Sequence, residues 1–184
     1  MILLMGIAGS GKGTQGKMLA DQHGLHLLSM GDVLRMYVTG KQRERMLAGG
    51  LLGDQEIIEI VDRVLSSIPD HEEILMDGFP RTIPQAEWLL KQANSGKFNL
   101  KVAIHLKASR QAVKRRLLKR ARLDDKEDSI EARFDEYERS TMPLIEWLNR
   151  HSVKVYDINA ERSVDEVNKD LVSILDSTNI NRAS

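Results

Sequence analysis

An α/β fold, a parallel sheet with helices on both faces, is predicted for this 184-residue sequence from its first fifteen residues and from an alternation that continues to the end. Met1-Ile-Leu-Leu-Met5 is a short apolar run without polar interruption, which suits a strand buried on both faces. Gly6, Gly9 and Gly11 follow, then Lys12, and the chain resumes as a helix from Gly13-Thr14-Gln15 onward. Glycines there let the backbone take positive φ and turn its N–H groups toward an anion at a helix N-terminus. Strand, anion nest and helix in one line make a phosphate-binding P-loop. The spacing Gly6-x-x-x-x-Gly11-Lys12 fits that pattern, with Gly13 where Ser or Thr is expected and Thr14 one residue later.

The second observation is the alternation. Lys12 to His23 reads as a helix closed by Gly24, and Leu25–Ser29 as a second strand. Asp32 caps or begins a helix over Val33–Val38, and Thr39-Gly40 breaks it. Gln42–Ala48 is a short polar helix closed by Gly49-Gly50. Asp54 reads as the N-cap of a helix whose apolar face is Ile57, Ile58, Val61, Val64 and Leu65. Pro69 ends it, and Ile74–Asp77 is a third strand. A helix from Gln85 to about Asn94, a strand Val102–Leu106 and a basic helix from Ser109 to about Ala121 come next. Ile130–Asn149 is helical with a bend expected at Pro143, Val153–Ile158 is the fifth strand, and Ser163 caps Val164–Leu175. The result is a P-loop NTPase-type parallel five-stranded sheet flanked by helices on both faces. Residues 1–184 form a single domain, and the alternation lapses at 30–53 and 120–128, which are candidate flaps.

Composition narrows the function. Lys plus Arg equals Asp plus Glu, so no global field draws the chain to nucleic acid or to an anionic membrane. The absence of cysteine excludes disulfides and thiolate zinc sites. No stretch reads as a leader or a membrane span, and a cytoplasmic protein is expected.

Ligands of such sheets lie beyond the carboxyl ends of the strands, which gathers Gly6, Ser29 and Asp77 at one edge. Asp77 opens Asp-Gly-Phe-Pro-Arg-Thr82; a carboxylate beside a P-loop can orient Mg²⁺ and its waters against phosphate oxygens. Arg81 is near enough to offer its forked donors to a phosphate. Arg115, Arg116, Arg120, Arg122 and Arg133, with Lys114 and Lys119, form a basic cluster. Alone, that run is a solvated helix face. Beside a phosphoryl-transfer site, several cations converging on a charge-rich transition state are required. Asp124 and Asp125 could lock the cluster by pairing with its arginines when a flap closes. The five histidines show no ligand spacing and read as structural.

Gly6–Gln15, Leu28-Ser-Met-Gly-Asp-Val-Leu-Arg35, Asp77–Thr82 with Gln85, and Arg116 through Arg133 together resemble adenylate kinase, in that order and over essentially the whole chain. The resemblance implies reversible Mg-dependent transfer, ATP + AMP = 2 ADP, by a monomer with an AMP-binding flap at 30–53 and a very short lid at 120–128. Gly9, Ser10, Gly11, Lys12, Gly13 and Thr14 would wrap the ATP phosphates, and Lys12 would follow the transferred group. Arg120 would bind ATP phosphates, Arg116 would lie against the ATP adenine, and Arg162 would offer that base only its carbonyl. Arg35, Arg81, Arg122 and Arg133 would contact AMP and the transferring phosphate. Lys12, Arg81, Arg120, Arg122 and Arg133 are thus the catalytic set. Ser29, Met30, Gly78, Phe79 and Pro80 complete the AMP site. Gln85 would read the AMP base edge with help from Gly50, Leu51 and Leu52, and Asp77 and Thr14 would hold Mg²⁺ through waters.

The sequence departs from the family in four places. Met30 stands where Thr is usual and Arg162 where Gly or Lys is. One residue separates Arg120 from Arg122, and the flap is trimmed around Thr39–Gln42. Two other readings remain: a UMP/CMP kinase, against which Thr82 speaks because those enzymes carry Asn after Phe-Pro-Arg, and a nucleotide-sensing module that does not transfer.

Overall fold

The computed structural model describes residues 1–47, 52–122 and 125–178. Gly50 and Leu51 of the expected AMP site, Asp124 of the expected lock, and parts of the flap and lid stretches lie outside the described residues. The sheet is five-stranded and wholly parallel, in the order β2-β3-β1-β4-β5. Its strands are β1 (Ile2–Met5), β2 (His26–Ser29), β3 (Ile74–Asp77), β4 (Val102–Lys107) and β5 (Val155–Asn159).

The apolar run at the N-terminus is unbroken because β1 is the central strand and both its faces are covered. Leu3 and Met5 pack with Met76, Leu89 and Leu144, while Ile2 and Leu4 pack with Leu75, Ile104 and Leu171 on the other face. The first face is covered by α4 (Asp54–Leu65), α5 (Ile83–Asn94) and α8 (Met142–Arg150), the second by α1 (Lys12–His23) and α9 (Val164–Ser177). A smaller cluster of Ile7, Val113, Leu117, Ile130 and Phe134 docks α6 (Arg110–Arg120) and α7 (Glu127–Glu136) beside the P-loop. The flap stretch contributes α2 (Met30–Tyr37) and α3 (Gly40–Leu47).

Several boundaries depart from the sequence reading. The helix expected from Val33 begins at Met30, with Asp32 inside its first turn. Asp54 is the first residue of α4 and Gly53 is its N-cap, where the Glu56 carboxylate accepts from the Gly53 N–H at 3.2 Å. The Asp54 side chain is thereby released for another use. The bend expected at Pro143 is taken up earlier, by a π turn over Tyr137–Thr141 in which the Met142 N–H reaches the Tyr137 carbonyl. Proline supplies no N–H to the carbonyl four residues back and its ring crowds that oxygen, so widening the preceding turn relieves both.

In this topology Ser29 and Asp77 are paired neighbours, and Asp77 also pairs with Leu4. The carboxyl ends of β2, β3 and β1 therefore lie side by side at one edge, with β1 feeding the P-loop.

Candidate active site

The P-loop holds its shape through backbone that only glycine adopts easily. Gly9 has φ +90°, and a Cβ there would lie 2.8 Å from Leu117 Cγ. Gly11, at φ 110°, is the N-cap of α1. Lys12 is buried and folds back over the loop, donating to the carbonyls of Gly6 at 2.6 Å and Ile7 at 2.9 Å. Burial lowers its ammonium to about 8, Asp77 opposes that shift, and Arg81, Arg120 and Arg133 add to it. Those four groups thus act on one lysine. Among the described residues Ser10 Oγ is buried with no hydrogen-bond partner, an orphan hydroxyl in a loop otherwise built of N–H groups.

A cavity of about 830 Å³ opens over this loop. Among the described residues it gathers nearly every residue singled out from the sequence: the loop from Gly9 to Thr14, Ser29, Met30 and Arg35, Leu52, Asp77 and Gly78, Pro80, Arg81 and Gln85, and the arginines 116, 120, 122, 133 and 162. Of the described nucleotide-site residues Phe79 is the exception, while Lys114, Arg115 and Lys119 of the basic cluster and Asp125 do not line it. The Phe79 side chain is buried, edge-on to Trp88 with ring centroids 6.1 Å apart, so it packs the core and does not line the cavity.

The arginine side of the cavity is organised by Asp125. Its Oδ1 accepts from Arg120 at 2.7 Å and from Arg133 at 3.1 Å, and its Oδ2 accepts from Arg120 Nε at 2.8 Å and the Arg122 N–H at 3.0 Å. Burial pushes this carboxyl up, but the Arg120 and Arg122 hydrogen bonds outweigh it and hold the group below the usual carboxylate range. The expected pairing with the arginines is therefore seen at Asp125, in a turn where Ala121 takes φ 53°. Arg116 donates to the Ser10 carbonyl at 3.2 Å and the Ala160 carbonyl at 2.7 Å, tying α6 to the loop. Arg162 bonds the Asn159 carbonyl and Asp170, so its guanidinium is held on its own side of the cavity. Arg81 is anchored to the Gly78 carbonyl at 2.9 Å, and Arg35 to Asp32 at 2.5 Å.

Two features escaped the sequence reading. His105, read as merely structural, connects the sheet edge to the cavity wall: Nδ1 contacts Asp157 Oδ1 at 2.7 Å and Nε2 contacts the hydroxyl of Tyr137, a lining residue. Burial lowers His105 and, with help from Asp157, pushes Tyr137 up to about 12, so the pair bonds as neutral imidazole and phenol. The second is Asp54, whose Oδ1 accepts from the Thr82 hydroxyl and the Gln85 side-chain amide.

A hard divalent cation prefers oxygen donors, and the Asp77 carboxylate and Thr14 hydroxyl both line the cavity. Among the described residues no group of three or more acidic or histidine side chains forms a metal cage. That donor set fits a magnesium ion carried in on phosphate oxygens and completed by waters.

A P-loop with a buried lysine, a strand-end aspartate and several arginines lining one cavity defines a phosphotransferase of the nucleoside monophosphate kinase class. The comparison with known proteins agrees. The adenylate kinase family profile matches residues 4–153. An adenylate kinase from Synechococcus is 35% identical over 95% of this chain and 98% of its own length. Adenylate kinases from Bacteroides thetaiotaomicron and Phocaeicola vulgatus are each 34% identical over 95% of this chain and 97% of their own length. The chain belongs to the adenylate kinase family. The pyrimidine-kinase and sensing readings are not favoured. Among the described residues no helix is long and apolar enough to cross a membrane.

Proposed function

We propose that the enzyme catalyses ATP + AMP = 2 ADP with magnesium, as a cytoplasmic monomer of one domain whose flap (30–53) and short lid (120–128) close on free nucleotides, with neither nucleic acid nor membrane as partner. The observation that carries this reading is that Lys12, Asp77, Arg81, Arg120 and Arg133 line one cavity over the P-loop. Transfer of a phosphoryl group needs little covalent help from the protein; it needs reactants aligned and charge offset. The P-loop N–H groups and the free Ser10 hydroxyl would cradle the ATP phosphates, with Gly9–Thr14 wrapped around them. Lys12 would exchange its two carbonyl partners for phosphate oxygens and travel with the transferred group. Arg120, Arg122 and Arg133 would meet the transferring phosphoryl from the lid side, and Arg81 and Arg35 the AMP phosphate from the flap side. Asp77 and Thr14 would hold magnesium through waters; the ion would supply charge neutralisation on the triphosphate.

Arg116 and the Arg162 carbonyl would flank the ATP adenine, while Ser29, Met30, Leu52, Gly78, Pro80 and Gln85 would surround AMP. Closing arginine-bearing helices over the site excludes water, which protects ATP from hydrolysis. Met30 is 1% exposed and supplies an adaptable apolar contact where a hydroxyl is usual in the family. AMP is accordingly the preferred acceptor, CMP a detectable one and GMP a negligible one. The test is kcat/KM for the three acceptors at fixed Mg·ATP, in the unmodified enzyme and in Gln85→Ala. GMP rivalling AMP, or a ranking untouched by the Gln85 change, contradicts the assignment of the AMP site.

A further inference from the structure

Gln85 is 2% exposed, lines the cavity, and has both ends of its amide engaged by the protein. Its Oε1 accepts from the Arg81 N–H at 2.8 Å, and its Nε2 donates to Asp54 Oδ1 at 2.8 Å. The same Asp54 oxygen accepts from the Thr82 hydroxyl at 2.7 Å. An amide carries two N–H donors and two acceptor lone pairs, so one donor and one acceptor of Gln85 remain for a ligand. Their order is fixed from both sides: a backbone N–H can only donate and a carboxylate can only accept. Turning the amide over would set N–H against N–H at Arg81 and oxygen against carboxylate at Asp54.

That order matters chemically. Adenine offers a donor at its 6-amino group and an acceptor at N1; hypoxanthine offers an acceptor at O6 and a donor at N1. A glutamine free to turn over satisfies either base, whereas one with its amide fixed satisfies only one. We infer that Asp54 is a specificity-determining positioning residue, which selects 6-aminopurine over 6-oxopurine monophosphates by locking the Gln85 amide. The inference rests on the proposed base-reading role of Gln85. Asp54 begins α4 and Gln85 lies in α5, so the lock also couples the flap side of the AMP site to the body of the protein.

Inosine monophosphate is the probe, because it differs from AMP on that base edge alone. In the unmodified enzyme kcat/KM favours AMP over inosine monophosphate by roughly 10² or more, since two hydrogen bonds are mismatched together. In Asp54→Asn, checked for folding by thermal unfolding and for ATP binding, that ratio falls about tenfold, with inosine monophosphate gaining in absolute terms. A purely structural role lowers both acceptors together and leaves the ratio unchanged, which overturns the lock. Gln85→Ala separates the two claims. If it collapses the ratio while Asp54→Asn does not, the lock alone is wrong; if neither moves it, Gln85 does not read the base and the inference falls with that reading. One measurement needs no variant: a through-hydrogen-bond coupling between the Arg81 amide nitrogen and the Gln85 side-chain carbonyl carbon in the unliganded protein. Its presence supports the fixed amide, and its absence overturns it.

Discussion

The two sides of the nucleotide cavity are built in different ways. The P-loop side is made of backbone: glycines at Gly9 and Gly11 in the left-handed region, and Lys12 bonded to two carbonyls within six residues of itself. The arginine side depends on side chains: the guanidinium groups of Arg120 and Arg133 are brought to one place by the Asp125 carboxylate, which also accepts from the Arg122 backbone N–H, at the junction of α6 and α7. A backbone site is specified locally and keeps its geometry without a ligand. A side-chain site keeps its geometry only while its organising charge is present. In the proposed mechanism both sides are needed, because the donor phosphates would rest on one and the transferring group would be met from the other.

The largest effect separating them comes from the lysine. Lys12→Met is expected to leave the fold intact, because the loop is shaped by its glycines, and to lower kcat by about 10²–10³, the usual cost of losing one preorganised charge contact. Near-normal turnover in a cleanly folded variant removes the P-loop lysine from the chemistry. Asp125→Asn is the converse experiment. It leaves the P-loop untouched but takes away the partner of two guanidinium groups. Losing one member of a fully buried pair costs roughly 3–5 kcal/mol. The Arg120 side chain is 32% exposed and therefore partly screened, so a stability loss of about 2 kcal/mol is expected by denaturant unfolding. Unchanged stability, with unchanged turnover, means the arginines are placed by something other than Asp125.

A smaller effect is expected from pH. Lys12 in the folded chain titrates at about 8, below its ordinary 10.5. As pH rises through about 8 the free enzyme loses the ammonium, and kcat/KM for ATP falls, approaching tenfold per pH unit. Stability moves the other way. Between pH 8 and 10.5 the unfolded chain binds the extra proton, so this group makes folding more favourable as pH rises through that window. A flat kcat/KM profile to pH 9.5 is inconsistent with a buried lysine acting on ATP; the Lys12→Met profile, lacking this limb, is the control.

The same contrast explains what was legible in the sequence. Gly6 to Thr14, the alternating strands and Asp77 at a strand end are short-range patterns, and periodicity and glycine placement reveal them directly. The arginines were recognisable as a cluster, and Asp125 as its lock, because all lie within one helical hairpin. Asp54 was misread as a helix cap because its true partner, Gln85, is 31 residues away and joined to it only by the packing of α4 on α5. His105 has partners 32 and 52 residues distant, and nothing in its own neighbourhood distinguishes it from a core histidine. Pro143 did signal an irregularity, but the backbone relieved it one turn earlier, in the π turn that carries Tyr137 and Thr141 to the cavity wall. Local chemistry was readable; long-range side-chain pairing was not.

The central claim is that both sides of one cavity serve a single transfer between two bound nucleotides. The most direct measurement follows ADP and inorganic phosphate together, with ATP, AMP and magnesium each omitted in turn. The account predicts two ADP formed per AMP consumed, no product when either nucleotide or the metal is left out, and no free phosphate at any point. ADP with stoichiometric phosphate from Mg·ATP alone makes water the acceptor, and it contradicts the account.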